Sequence, residues 1–276
     1  DKIRTNYYAF RAYLDTADYK WNIPNYAKYE WSEINFKEYR KLKTSYFDYI
    51  TWRRDEFNGQ TININKEGIR ETILSNEITP NSKNYIFFGG STMWGSGVSD
   101  KFTIPSIVSE KHKVNTINYG ESGYIARQSL SMLNNLYIEK KLKAGKNVII
   151  FYDGANDVFD RCRVENKNLA TVREDQIRNK MNTNFLDFNY LIKPALTLIN
   201  KLRTDDANQD HLFICDQSPE RVEEIINTLI ETWRLASQVA KNNDDEFIAI
   251  LQPVAFIGSP LLDHLPLVKF HQNEFK

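Results

Sequence analysis

Three short blocks along the chain combine glycines with polar side chains that could carry out chemistry. FFGGSTMWGSG places Ser91 directly after two glycines, NYGESGY contains Gly123, and GAND contains the side-chain amide of Asn156. Glycines let a backbone turn sharply or approach another group closely. A serine hydroxyl at such a turn becomes a nucleophile once a neighbouring base removes its proton. The first block therefore indicates nucleophilic catalysis by Ser91.

Each block also has a purely structural interpretation. Ser91 could be a helix N-cap, which is the commoner task of such a serine, and Asn156 with Asp157 could be another cap. Gly123 could be an ordinary turn residue. GGSTMWGSG fits neither GxxxxGK[ST] nor GxGxxG, since Asp100 stands where the last glycine would be. It also lacks the GxSxG pattern of a nucleophile elbow.

The elements around these blocks predict how they are positioned. Buried strands are predicted by short apolar runs at 85–90, 114–120, 147–154 and 247–254. Amphipathic helices are predicted at 103–112, about 126–143 and from Ser218 onward. Strands that alternate with helices form a parallel sheet in an α/β fold. Ligands bind at the carboxyl ends of such strands, which is where all three blocks lie.

Taken together, the blocks resemble those of the SGNH hydrolase superfamily, the GDSL-like lipases and acylhydrolases. Ser91, Gly123 and Asn156 match the family's named residues, and Gly90 stands where the better-known version has Asp. The resemblance runs from about 84 to 157, with weaker support through 254. It implies a three-layer α/β/α, flavodoxin-like fold. It also implies a serine nucleophile and an oxyanion hole made by the N–H groups of Ser91 and Gly123 and the Asn156 amide.

The function implied is a carboxylic ester hydrolase that removes O-acyl groups, foremost O-acetyl groups, from a carbohydrate, glycoconjugate or other small ester through an acyl-enzyme. Glycine at 123 is expected because a side chain would obstruct the acyl group. One alternative is an O-acyltransferase that passes the acyl group from Ser91 to a sugar hydroxyl. Another is a catalytically degenerate module that binds glycan.

The general base is the missing part. SGNH hydrolases carry their histidine in a late DxxH block. The histidines of this chain are His112, His211, His264 and His271, and none has an aspartate three residues before it. We expect the natural protein to continue beyond Lys276, with a fifth strand and the Asp–His pair in that part. His264, which directly follows Asp263, is the one local substitute for this pair. It is a poor substitute, because adjacent residues rarely face each other as an orienting pair must.

The domain organisation follows from composition. Residues 1–83 form an aromatic-rich extension predicted to pack on the main domain, 84–276 form the SGNH-like domain, and about 158–215 form a polar insertion. Scattered rings usually serve packing, although a sugar-stacking platform is the alternative. The lead-in NKEGIR resembles that of bacterial envelope SGNH proteins. We expect Arg70 in this lead-in to form a structural salt bridge. The alternative is that Arg70 reaches the rim of the site.

Bulk composition narrows the partners. With 36 basic and 36 acidic residues, the chain has no electrostatic signature of nucleic-acid binding. No apolar run approaches the roughly 18 residues of a membrane span, and no metal-ligand spacing or cofactor motif is present. Cys162 and Cys215 bracket the insertion and predict a disulfide, with two buried thiols as the alternative. A bridge favours an extracytoplasmic location.

Overall fold

The computed structural model of the chain describes residues 24–78, 82–162 and 214–253, together with the single positions Glu174 and Ile177. These residues fall into two compact units. One lies between Val158 and Ile225, and the other contains the remaining described residues.

The secondary structure is α/β. The strands of the described residues are β1 (Thr44–Phe47), β2 (Thr51–Arg54), β3 (Phe57–Asn58), β4 (Asn63–Ile64), β5 (Asn84–Gly89), β6 (Asn115–Asn118), β7 (Asn147–Asp153) and β8 (Glu246–Leu251). The helices are α1 (Pro24–Ala27), α2 (Ser32–Tyr39), α3 (Ser91–Trp94), α4 (Ile104–His112), α5 (Ala126–Ile138), α6 (Ala155–Arg161) and α7 (Pro219–Lys241). Two 3-10 turns lie at Asp100–Phe102 and Ile214–Asp216.

The central sheet is parallel, with strand order β6-β5-β7-β8. Its register pairs Phe87 of β5 with Asn118 of β6 and with Ile150 of β7. Parallel strands joined through helices bring their carboxyl ends to one edge, so the ends of β5, β6 and β7 are neighbours there. This arrangement confirms the predicted α/β class with a parallel sheet.

Helices cover both faces of the sheet. Alternate side chains of a strand point to opposite faces. On one face Phe88 and Phe151 pack in a buried cluster with Leu133 of α5 and Ala236 of α7. On the other face Phe87 and Ile150 pack with residues of α4. The three-layer α/β/α arrangement that the sequence predicts is therefore present.

Some elements are shorter than the sequence predicts. Helix α5 ends at Ile138 rather than near residue 143, because Lys140 adopts a left-handed φ of 56° that a helix cannot continue. Strand β6 ends at Asn118 rather than 120, since the side chain of Asn118 accepts the Gly120 N–H and turns the chain. Strand β8 ends at Leu251, two residues before Pro253. The predicted fifth strand lies outside the described residues.

The lead-in to the sheet contains two small antiparallel hairpins, β1–β2 and β3–β4. The NKEGIR segment turns at Gly68, whose φ is 74° and whose N–H donates to the Asn65 carbonyl. Arg70 then forms backbone bridges to both Ile64 and Asn118. The lead-in is thereby joined to the outer edge of β6.

Most of the described aromatic rings in the lead-in serve packing. Trp31 lies on Tyr29 with ring centres 5.2 Å apart and beside Phe102 at 5.6 Å. Two rings of the β1–β2 hairpin are different: Tyr46 is 66% exposed and Tyr49 is 84% exposed.

The unit between Val158 and Ile225 contains a disulfide. Cys162 and Cys215, 53 residues apart, are bonded, with Cα atoms separated by 5.2 Å. The predicted bridge is therefore confirmed. The Ile214 N–H donates to the Cys162 carbonyl at 2.7 Å beside it, and the Arg221 side chain donates to the Arg161 carbonyl at 3.1 Å.

Candidate active site

The three blocks meet at the carboxyl edge of the sheet. The Asn156 side-chain amide donates a hydrogen bond to the Tyr124 carbonyl at 2.8 Å, which joins the third block to the second. A Cβ atom built on Gly90 would lie 2.5 Å from Asn156 Nδ2 and 3.4 Å from the Tyr124 oxygen. A side chain at position 90 would force that amide to move. Glycine before Ser91 leaves the amide in place.

Ser91 is the first residue of α3, and Gly90 is the N-cap of that helix. The structural interpretation of Ser91 as an N-cap is therefore wrong. Its side chain is half-buried, and its hydroxyl has no hydrogen-bond partner in the part of the chain that the structure describes. Helix α3 is a single turn that ends at Trp94, and the φ of its C-cap Gly95 is 92°. A helix of one turn has only a small macrodipole, so it contributes little electrostatic stabilisation at its N-terminus.

Gly123 has a backbone reason to be glycine. Its φ is 83°, in the left-handed region that other residues enter at a cost of roughly 1–2 kcal/mol. A Cβ built there would touch Cζ2 of Trp52 at 3.6 Å, an ordinary contact distance. The backbone conformation is therefore a reason for glycine besides the expected one, obstruction of an acyl group by a side chain, which stays a prediction. Among the described residues the Gly123 N–H has no backbone acceptor.

Asn156 and Asp157 lie in the first turn of α6 and have different partners. The Asp157 carboxylate accepts the Ala126 N–H, with oxygen distances of 3.1 and 3.2 Å, at the first residue of α5. It thus supports the helix that follows the second block. The bond from Asn156 to the Tyr124 carbonyl uses one amide hydrogen, which leaves the second hydrogen for another acceptor.

Asp153, at the end of β7, is a buried carboxyl group. It is 2% exposed, and Ser129 Oγ lies 3.3 Å from Oδ1. Burial raises its pKa well above the ordinary value, and the nearby Asp157 charge adds to the rise. The hydrogen bond from Ser129 opposes this only in part. A raised pKa favours the neutral, protonated form of a buried carboxyl group.

A buried ion pair supports the end of α3. Arg70 is fully buried and lies 2.8 Å from Asp100. Its guanidinium also donates to the carbonyls of Trp94, Gly95 and Val98 at 2.6–3.1 Å. These carbonyls include those that the end of a helix leaves without partners. The structural salt bridge predicted for Arg70 is therefore confirmed, and it holds the turn that carries Ser91.

Four residues that the sequence did not single out border this edge. Trp52 and Arg54 of β2 contact the second block, where Glu121 is fully buried and lies 3.3 Å from the Arg54 side chain. Gln252 follows β8, and its side-chain amide donates to the Thr92 hydroxyl at 2.9 Å, next to Ser91. No local pattern distinguishes these positions, because the three contacts join segments far apart in the chain.

Of the four histidines, His112 alone lies in the described residues. It is exposed at the end of α4, just before β6 begins at Asn115. That is the amino edge of the sheet, opposite to Ser91. His211, His264 and His271 lie outside the described residues, as does the sequence beyond Pro253.

Across the described part of the chain, no three acidic, cysteine or histidine side chains group as a metal site. The helices there include none that is both long and apolar enough to cross a membrane.

No protein-family model matches the chain, and no curated protein matches it significantly. Solved structures do. A G-D-S-L family lipolytic protein from Veillonella parvula is 15% identical, covering 54% of this chain and 97% of its own, with a TM-score of 0.26. AlinE4, an SGNH-hydrolase family esterase, is 18% identical, covering 57% and 98%, with a TM-score of 0.26. These belong to the superfamily that the three blocks resemble. A single-residue variant of Axe2, an acetyl xylan esterase from Geobacillus stearothermophilus, is 15% identical, covering 61% and 78%, with a TM-score of 0.27. Overlaps this low carry no argument about chemistry, which depends on the residues of this chain.

Proposed function

We propose that the protein is an SGNH-type serine esterase that cleaves O-acyl esters, foremost O-acetyl esters, of a carbohydrate or glycoconjugate. One observation carries the proposal. Ser91, Gly123 and Asn156 come from three separate blocks, yet the sheet brings those blocks into contact at one edge. Hydrogen atoms of the Gly123 N–H and of the Asn156 amide remain for a ligand.

In the proposed reaction the Ser91 oxygen attacks the ester carbonyl carbon while a general base takes the hydroxyl proton. The carbonyl oxygen becomes an oxyanion that accepts hydrogen bonds from the N–H groups of Ser91 and Gly123 and from the Asn156 amide. Each such donor lowers the barrier by about 3–4 kcal/mol. Collapse expels the alcohol, which takes the proton from the base. Water then attacks the acyl-Ser91 ester and releases the carboxylic acid.

The general base belongs to a part of the chain outside the described residues. A base must lie within hydrogen-bond reach of Ser91 Oγ, and His112 is at the opposite edge of the sheet. Asp157 is engaged with the Ala126 N–H, and Asp153 is buried against Ser129 Oγ. We therefore propose that an Asp–His pair supplied by another part of the protein completes the site.

A carbohydrate substrate is supported by the hairpin beside the site. Tyr46 and Trp52 are directly opposite in the β1–β2 ladder, and opposite residues of an antiparallel pair share a face. The Trp52 ring contacts the Gly123 position, whereas Tyr46 is 66% exposed. An exposed aromatic ring has an apolar face on which the CH groups of a sugar can pack. Tyr46 is thus proposed to hold the sugar whose ester enters the site.

Labelling with a fluorophosphonate probe and peptide mapping tests the nucleophile. The wild-type full-length protein should acquire the label on Ser91, and Ser91→Ala should lose both the label and the hydrolysis of 4-nitrophenyl acetate. A Ser91→Ala variant that keeps more than a few per cent of the activity excludes this nucleophile. An unlabelled but folded wild type supports the glycan-binding module instead.

A second measurement separates hydrolysis from acyl transfer. The protein is incubated with an acetylated oligosaccharide, with and without a deacetylated glycan acceptor, and free acetate is compared with acetylated acceptor. Release of acetate that the acceptor does not suppress is the expected result. Acetylated acceptor in place of free acetate identifies a transferase that uses the same acyl-Ser91.

A further inference from the structure

The β1–β2 hairpin lies against the loop that contains Gly123, although Trp52 and Ser122 are 70 positions apart in the chain. Trp52 Nε1 donates to the Ser122 carbonyl at 3.3 Å. The same indole contacts the Gly123 position. Trp52 is only 4% exposed, so water has little access to this hydrogen bond.

The hydrogen bond from Trp52 has a directional consequence. The Ser122 carbonyl and the Gly123 N–H belong to the same peptide unit, and in a trans peptide the C=O and N–H bonds point in opposite directions. With Trp52 on the carbonyl, the Gly123 N–H must point away from the indole. That N–H has no backbone acceptor among the described residues.

A buried ion pair fixes the preceding part of the loop. The Glu121 carboxylate, fully buried, accepts the Ser122 N–H at 2.7 Å and the backbone N–H of Arg54 at 3.1 Å. The Arg54 side chain lies 3.3 Å from the Glu121 carboxylate and 4.2 Å from the centre of the Trp94 ring. Removing either partner would leave an uncompensated buried charge. The hairpin and the loop are therefore held in one relative position.

The loop also holds the hairpin in return. The Tyr124 hydroxyl donates to the Trp52 carbonyl at 2.5 Å, and the Gln128 amide donates to the Ile50 carbonyl at 2.9 Å. Hydrogen bonds thus run in both directions between β2 and the segment from Glu121 to Gln128. The expected packing role of the lead-in does not by itself account for bonds concentrated on this loop.

We propose that Trp52 is a positioning residue for ester hydrolysis: through the Ser122 carbonyl it directs the Gly123 N–H toward the oxyanion that forms at Ser91. The Arg54–Glu121 pair keeps the loop in the conformation that this hydrogen bond needs. The inference rests on the proposed esterase function. It assigns the hairpin a part in the chemistry of a site formed by distant blocks.

Trp52→Phe tests the proposal because it keeps an aromatic ring and deletes the Nε1 donor. We expect kcat for 4-nitrophenyl acetate to fall by about 10–100-fold with KM unchanged, somewhat less than deletion of an oxyanion donor itself causes. Trp31→Phe is the matched control, since the buried Nε1 of Trp31 has no acceptor among the described residues. That control should keep the wild-type kcat. Trp52→Phe with wild-type kcat overturns the proposal, as does a change confined to KM.

Glu121→Gln is the second variant and decides the matter where Trp52→Phe does not fold. It should lower kcat in the same way, because the Arg54 charge loses its partner and the loop loosens. The matched control is Asp245→Asn. Asp245 is also a buried carboxylate that accepts a backbone N–H, from Asn147 at 2.9 Å, but at the amino edge of the sheet. The control should lower the melting temperature without changing kcat. Equal kcat values in Glu121→Gln and the wild type overturn the proposal.

Failure of the esterase function itself is recognised separately. Fluorophosphonate mapping of the wild type reports on Ser91 and does not involve the hairpin variants. A wild type without label on Ser91 overturns the function and the positioning role together. Label on Ser91 together with wild-type kcat in Trp52→Phe, or in Glu121→Gln where Trp52→Phe does not fold, overturns the positioning role alone.

Discussion

Replacement of Asn156 by alanine separates the proposed chemistry from the contribution of this side chain to stability. In the folded protein one amide hydrogen is bonded to the Tyr124 carbonyl at 2.8 Å. Loss of that bond should reduce the free energy of unfolding by about 1 kcal/mol. Loss of an oxyanion donor should raise the barrier to acyl transfer by about 3–4 kcal/mol, which lowers kcat by roughly 10²–10³-fold.

The two effects are measured on the same preparations. Steady-state hydrolysis of 4-nitrophenyl acetate gives kcat and KM, and urea unfolding gives stability. The donor acts on charge that exists only in the transition state, so KM should stay constant. Asn243→Ala is the matched control, because it removes a side-chain bond of the same length, to the Val239 carbonyl, away from the site. The control should lose stability alone. A change in KM with constant kcat for Asn156→Ala would refute the oxyanion role.

Three further predictions follow from the same structure. Tyr46→Ala should raise KM for an acetylated oligosaccharide and leave the kinetics of 4-nitrophenyl acetate unchanged; equal effects on both substrates would exclude a sugar subsite. Arg70→Gln should lower the free energy of unfolding by about 3–5 kcal/mol, because Asp100 would remain buried without its partner, and adding Asp100→Asn should restore part of it in urea titrations. Asp153→Asn should stabilise the protein at pH 7 and have no effect near pH 3. Burial raises the folded-state pKa of Asp153 above its unfolded value, so wild-type stability falls as pH rises from the unfolded pKa through the folded one. A stabilisation that persists unchanged at acidic pH would contradict this sign.

Much of the architecture could be predicted from the sequence because the relevant signals are local. The apolar run that ends in Gly89-Gly90 reads as a buried strand, and it forms β5 in the centre of the sheet. Amphipathic spacing predicts α7, and the alternation of strands and helices predicts their parallel order. The blocks with Ser91, Gly123 and Asn156 lie at strand ends, so the topology of a parallel sheet by itself brings them to one edge.

The ends of helices and strands, and the reasons for particular residues, were harder to predict from the sequence. The end of α5 depends on the left-handed conformation of Lys140, and no local sequence pattern predicts that conformation. At Gly123 the structure adds a backbone φ of 83° as a reason for glycine, which the sequence did not predict. Such conformations are set by the path of the chain between fixed elements.

The sequence by itself determined the sheet and the three chemical blocks, since each is encoded by composition and spacing within a short segment. For the two cysteines it left a disulfide and two buried thiols open, and the structure has the disulfide. Only the tertiary structure decided what surrounds Gly123. The bond from Trp52 to Ser122 and the pairing of Arg54 with Glu121 join positions about 70 residues apart. Their geometry depends on how the hairpin folds back on the loop, and no periodicity or motif records that long-range packing.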